Sequence, residues 1–213
     1  MTDEQKSVYN TVIEAVDKDE GGAALRSCGD IVINVTSSGI AALLLTGGKT
    51  AHSRFAIPIN VLEDSFCNIQ PDSQLAGLLN EAKLIIWDEA PMMHRHCVEA
   101  FERTMRDIIR SENSNKPFGG KVVIFGGDLC HFLPVIPKGS RAETVYASIH
   151  SSELWHECKV PKLTKNMRLL QCVADSDVNE ISEFAKWILD IGEGKSICPT
   201  IEKRMLNFLR MCY

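Results

Sequence analysis

Apolar residues fall along this chain in two rhythms. Near-continuous apolar runs occupy positions 31–35 (IVINV), 83–89 (KLIIWDE) and 121–128 (KVVIFGGD). Such runs are expected of strands covered on both faces of a parallel sheet. Between them, stretches with the three- and four-residue spacing of helices occupy 39–45 (GIAALLL), 73–82 (SQLAGLLNEA) and 96–112 (HCVEAFERTMRDIIRSE). Residues 3–17 place Val8, Val12, Ile13 and Val16 at helical spacing, with Thr2 or Asp3 as cap and Gly21-Gly22 as terminator. Positions 23–30 (AALRSCGD) read as the closing turns of a helix that has no beginning. A weaker run at 159–164 (KVPKLT) predicts an edge strand, and 178–190 predicts a last amphipathic helix. Strands alternating with helices predict an α/β fold, a mostly parallel sheet flanked by helices.

Composition narrows the class. With 45% hydrophobic and 24% charged residues, the 213-residue chain has the profile of a globular domain, long enough for one proper core. The eight cysteines include no C-x-x-C pair, which points to reduced thiols in an intracellular protein and away from a zinc ribbon or disulfide framework. No apolar run reaches the roughly 18 residues that cross a bilayer, and the acidic start Met1-Thr2-Asp3-Glu4 is unlike a secretory signal. Net charge is −5, and the six acids and two lysines of residues 1–22 account for −4 of it. The rest is nearly neutral, so any nucleic acid must be held by local contacts rather than a basic stripe.

Gly48-Lys49-Thr50 matches the end of a phosphate-binding loop, but its context does not. That loop is G-x-x-x-x-G-K-[ST] after a strand and before a helix, so that backbone amides and a helix terminus wrap the phosphates. Here Leu43 stands where the first glycine belongs, a helical stretch precedes, and AHSRFAIPI downstream shows no helical period. No other segment fits the pattern.

Four segments carry candidate chemistry. LIIWDEAPMM delivers Asp88 and Glu89 to the C-terminal end of a strand, where ligands bind in open α/β sheets. A carboxylate pair there suits magnesium binding through water and orientation of an attacking water. KVVIFGGD ends in Gly126-Gly127-Asp128, and the glycines permit close backbone approach on the same rim. Thr36, Ser37 and Ser38 lie between a strand and a helix, their hydroxyls placed either to cap that helix or to hold a DNA phosphate. LTKNMRLL offers Arg168, a planar cation able to reach a γ-phosphate. His94, His96 and Cys97 sit together near a helix start, but no fourth metal ligand is spaced nearby.

Taken in order, Thr-Ser-Ser-Gly-Ile-Ala-Ala, Thr-Ala-His-Ser, Asp-Glu-Ala, Pro-Phe-Gly-Gly, Gly-Gly-Asp, Leu-Pro-Val and Asn-Met-Arg-Leu strongly resemble the petite-integration-frequency (Pif) family of superfamily 1B DNA helicases, especially its plant and Helitron-associated members. The likeness runs along essentially the whole chain. It implies a RecA-like P-loop NTPase fold and an ATP-dependent 5′-to-3′ DNA helicase of repair, recombination or telomere maintenance. ATP with Mg2+ would be the cofactor and single-stranded or forked DNA the partner. The expected location is nuclear or mitochondrial, with no membrane association. By the resemblance, Asp88 is the magnesium acid acting through water, Glu89 orients the attacking water, and Arg168 contacts the γ-phosphate. Gln5 matches the adenine-recognising glutamine of a helix over 1–22, and Gly127 and Asp128 belong to the nucleotide side. Thr36, Ser37, Ser38, Gly39, His52, Ser53 and Phe55 belong to a DNA-contacting segment, with Phe55 available for base stacking. Residues 23–170 form a partial first RecA-like domain, and 171–213 begin the following helical segment.

The same resemblance exposes three departures. Family members carry a strand, a G-x-G-G-T-G-K-T loop and most of a helix between the positions of Gly22 and Ala23, where this sequence runs straight on. His131 stands at the nucleotide-sensing glutamine, and the chain stops at Tyr213, before a second RecA-like domain. Removing one preorganised donor from an active site costs about 2.7–4 kcal/mol. Loss of the whole amide cradle and its lysine therefore predicts loss of ATP binding and an inactive enzyme. The absent strand further predicts either a gap or a re-paired sheet, with apolar faces exposed. The alternative is a degenerate module that binds single-stranded DNA or docks on a helicase subunit without hydrolysing ATP.

Overall fold

The three apolar runs become strands and lie side by side. β1 (Ile31–Thr36), β2 (Lys49–Thr50), β3 (Ala82–Asp88) and β4 (Val122–Phe125) form one sheet in the order β2-β1-β3-β4, with every pairing parallel. The computed structural model describes residues 2–17, 30–45, 47–109, 115–128, 133–164 and 177–192. Contacts divide the chain into a unit of Gln5–Pro161 and a second of Met1–Glu4 with Lys162–Tyr213. The sheet belongs to the first; the second holds α7 (Asp177–Gly192), the last predicted helix.

Alternation along the strands sorts side chains onto two faces. Ile33, Val35, Ile85 and Trp87 lie on one face, packed against α5 (Arg95–Ile108) through Cys97, Val98, Phe101 and Met105, all buried. An aromatic cluster fills this side. Phe55 stacks on Phe101 with ring centroids 3.9 Å apart, and Trp87 meets Phe101 edge-on at 5.9 Å. Burying each such ring contributes about 1.5–3 kcal/mol. On the opposite face Leu84 is buried among Val32, Ile86, Val122, Ile124 and Val12 of α1 (Asp3–Asp17), which are only partly covered. Burial on both faces thus holds in β3 at Leu84, whereas Val32, Ile86 and all four residues of β4 are only partly covered.

One expectation is decided between its two outcomes, and two are revised. Of the two outcomes foreseen for the sheet, the described residues show direct pairing: β1, β3 and β4 are hydrogen-bonded neighbours without a gap. Residues 159–164 form no strand. Pro161 removes a ladder donor in mid-run, and Val160 and Leu163 stay exposed, so no burial compensates the ordering. The stretch after Thr50, read as lacking a helical period, contains α3 (Ala51–Phe55). At five residues it is too short to show periodicity. The Thr50 side chain accepts the Ser53 amide to start it, and Ala56 in the left-handed region ends it. The headless segment at 23–29 lies outside the described residues.

Two further helices are capped as their sequences dictate. Ser73 caps α4 (Gln74–Glu81) by accepting the Ala76 amide. Ser140 and Glu143 form a reciprocal capping box on α6 (Arg141–Ala147). The loop before α4 is pinned to α5, because Arg103 donates twice to the Ser65 carbonyl and Thr104 accepts the Cys67 amide.

Candidate nucleotide and DNA face at the strand ends

A parallel sheet brings the C-terminal ends of its strands to one rim, and here three chemistry-bearing turns meet there. Thr36 is the register partner of Asp88 across β1 and β3, and of Thr50 across β1 and β2. The Ser37 amide donates to the Asp88 carbonyl at 3.0 Å. On the other flank the Gly126 amide donates to the Trp87 carbonyl at 2.9 Å, and the Ala90 amide returns to the Gly126 carbonyl at 3.0 Å. Asp88 is therefore clasped between the turn after β1 and the turn after β4.

Local geometry at the acid pair is tightly specified. Asp88 Oδ1 accepts the Glu89 amide at 3.0 Å. Glu89 adopts φ 52° and ψ 34°, a left-handed conformation that non-glycine residues rarely take, and it opens the 3-10 turn Ala90–Met92. Gly127, at φ 139°, is required by crowding as well as conformation. A Cβ there would lie 2.7 Å from Pro91 Cδ and 3.3 Å from Glu89 Cα. At Gly126 an added Cβ would come within 3.2 Å of Asp88 Oδ1. The glycine pair thus lets the end of β4 press against the acid turn. Among the described residues no three carboxylate, histidine or cysteine groups are placed to hold a metal. A magnesium ion does not need such a cage. It binds through one or two carboxylates and draws its other ligands from phosphates and water, and the Asp88 carboxylate fits that share.

On the β1 side the hydroxyls are largely committed. Thr36 is fully buried, and its Oγ1 accepts the Ser38 amide at 3.3 Å. The Ser37 hydroxyl accepts the Trp87 indole N–H at 3.0 Å. Ser38 is the cap position of α2 (Gly39–Leu44), yet its side chain makes no capping bond. Gly39 is exposed, with nothing within 4 Å of where a Cβ would stand. Ser53 is exposed on α3, and His52 is half-buried, which pushes its pKa below the ordinary histidine value.

Gly48-Lys49-Thr50 has a structural job. Lys49 and Thr50 pair with Val35 and Thr36 in the sheet, and the Gly48 amide donates to Leu45 O at 2.8 Å. A Cβ at Gly48 would meet Leu45 Cβ at 2.5 Å, so glycine is needed to make the turn into β2.

Residues 22–202 match the family model of the PIF1-like helicase. That match covers well over half of the chain. The chain belongs to the PIF1-like helicase family. It is 29% identical over 136 residues to the ATP-dependent DNA helicase RRM3 of Saccharomyces cerevisiae, covering 62% of this chain and 18% of that protein. It is 31% identical over 115 residues to the ATP-dependent DNA helicase Pif1 of a Psychrobacter species, covering 53% and 16%. The chain thus spans less than a fifth of the length of these curated relatives. Among solved structures, a double mutant of Pif1 helicase from Bacteroides superposes with a TM-score of 0.61 at 21% identity, covering 84% of this chain and 44% of that one. Pif1 helicase from Candida albicans gives 0.56 at 18%, covering 84% and 46%. These likenesses establish a RecA-like fold.

Within this PIF1-like frame, the rim gathers Asp88, Glu89, Gly127 and Asp128 with Thr36, Ser37, Ser38 and Gly39, and the β2–α3 junction sets His52 and Ser53 on the neighbouring strand end. Gln5 lies in the first turn of α1, half-buried. His131 and Arg168 lie outside the described residues. Phe55 is a correction. It is fully buried, stacked on Phe101, and has no face to offer a base. Its apolar ring on a short helix found the core because that contact removes the whole ring from water. Thr36 is likewise corrected from DNA contact to internal brace, its hydroxyl turned to the Ser38 amide. Sequence reading missed Trp87, whose indole positions Ser37. The signal was a polar-tipped aromatic at the end of a buried strand, where its N–H must find an acceptor.

Proposed function

We propose that this chain derives from an ATP-dependent DNA helicase and keeps the DNA-facing rim while having lost nucleotide hydrolysis. One observation carries the reading: no G-x-x-x-x-G-K-[ST] loop occurs in the sequence, and its single Gly-Lys-Thr is built into the edge of the sheet. Asp88 and Glu89 would be the hydrolytic carboxylates, but the amide cradle that presents a triphosphate is missing. With no triphosphate to complete its coordination, Mg2+ has only the Asp88 carboxylate and solvent. Its contribution when bound with nucleotide would be charge neutralisation at the phosphates. The retained activity is contact with single-stranded or forked DNA along Ser37, Ser38, Gly39, His52 and Ser53. The proposed setting is nuclear or mitochondrial DNA repair, recombination or telomere maintenance, the module docking beside an active helicase.

The test is phosphate release by the purified chain with ATP, Mg2+ and single-stranded DNA, alongside calorimetric titration of ATP. The expected result is no turnover and no binding heat. DNA-stimulated phosphate release that Glu89→Gln abolishes would overturn the proposal.

A further inference from the structure

The helix α6 and the turn after it border a groove of about 570 Å³ lined by Arg141, Ala142, Val145, Tyr146 and Ser151. The first four share one side of α6, since residues three and four apart are neighbours on a helix. Val145 is 53% and Tyr146 54% exposed, so neither serves the core. Behind the tyrosine ring lies Arg95, its Cζ 3.9 Å from the ring centroid and its Nη1 donating to Ser151 O at 2.6 Å. Arg95 is only 8% exposed, its Nε lacks a hydrogen-bond partner, and no carboxylate pairs with it among the described residues. A buried guanidinium without a counter-charge is costly, and an anion brought close would offset that cost.

The groove therefore joins a half-exposed aromatic ring, a buried cation under it and a second cation, Arg141, at its edge. Its described lining holds no carboxylate. Arg95 opens α5 shortly after the acid turn, so the groove lies on the side of the sheet where the strands end. We infer that it is a stacking subsite for one nucleotide of a single strand, the base lying on the free face of Tyr146 and the phosphate meeting Arg141. The chemistry is complementary on both counts. Aromatic rings stack bases of any identity, a ring backed by a cation is a rigid platform, and an arginine fork suits a phosphate. The assignment rests on the DNA-contacting reading proposed above and extends it to a residue set away from the β1 turn.

Fluorescence anisotropy on the full chain, with a labelled oligothymidylate and an abasic strand of equal length, tests it. Tyr146→Ala should weaken thymidylate binding about tenfold, leave the abasic strand unaffected, and be rescued by Tyr146→Phe. Arg141→Gln, an exposed change that does not touch the core, should weaken both strands and flatten the logarithmic salt dependence by about 0.7. Equal affinity for thymidylate, abasic strand and polyglutamate of matched charge would make the groove a plain anion surface and overturn the assignment. Unchanged binding in Tyr146→Ala and Arg141→Gln overturns it while leaving the DNA reading standing. Absence of binding by the unaltered chain at low salt sinks both.

Discussion

The indole N–H of Trp87 donates to the hydroxyl of Ser37 at 3.0 Å, tying the strand that carries Asp88 to the turn that faces the proposed DNA path. Trp87 is fully buried, so the bond satisfies a donor that would otherwise be stranded. Ser37→Ala leaves that donor unsatisfied and should cost about 1–3 kcal/mol in chemical denaturation. Trp87→Phe removes donor and volume together; paired with Ser37→Ala it should cost less than the sum of the two. Strict additivity in that double-mutant cycle would deny the coupling.

Phe55 separates a core role from a DNA role. Phe55→Ala should destabilise by about 3–5 kcal/mol, enough to leave much of a marginally stable domain unfolded. Phe55→Leu should fold and bind oligonucleotide as the parent does. A folded Phe55→Leu protein with greatly weakened DNA binding would return this ring to the DNA face.

Two glycines should respond with opposite sign. Gly127→Ala forces a Cβ to within 2.7 Å of Pro91 at a φ of 139°, and the melting temperature should fall. Gly77 lies inside α4 with nothing within 4 Å of an added Cβ, so Gly77→Ala should stabilise by up to about 1 kcal/mol. Thermal melts of the two proteins check both signs at once.

Acid should weaken the fold through histidines. Burial first, then the neighbouring His96 and Arg95, hold His94 below the ordinary 6.5, with Glu99 opposing. Burial also lowers His96, where Glu99 and Glu63 pull upward against Arg95 and Arg103. A histidine with a lowered folded pKa binds fewer protons than its unfolded form, so its stabilising effect is complete above 6.5 and is lost as pH falls below it. The urea midpoint should therefore hold steady from roughly pH 8 to 7 and drop on the way to pH 5.5. His94 caps α5 by accepting the His96 amide on Nδ1. His94→Asn, which keeps a capping side chain and removes the proton site, should flatten part of that drop. An unchanged profile would exclude His94 as a source.

How much could be read from the chain alone follows from which forces are local. Apolar runs and helical periods placed β1, β3, β4 and the main helices, because burial of a strand or stripe requires that pattern wherever the element lies. The Gly-Gly-Asp and Asp-Glu turns, and the lack of a phosphate loop around Gly48, were equally legible, being short chemical patterns with fixed spacing. Tertiary structure decided what contact alone can set. It sent Phe55 into the aromatic core, turned the Thr36 hydroxyl inward, and paired Lys49-Thr50 with β1 as an edge strand. It denied 159–164 a place in the sheet and put Arg95 beneath Tyr146, residues 51 positions apart. Local sequence sets what a segment is able to form; which face it buries depends on partners brought close only when the chain folds.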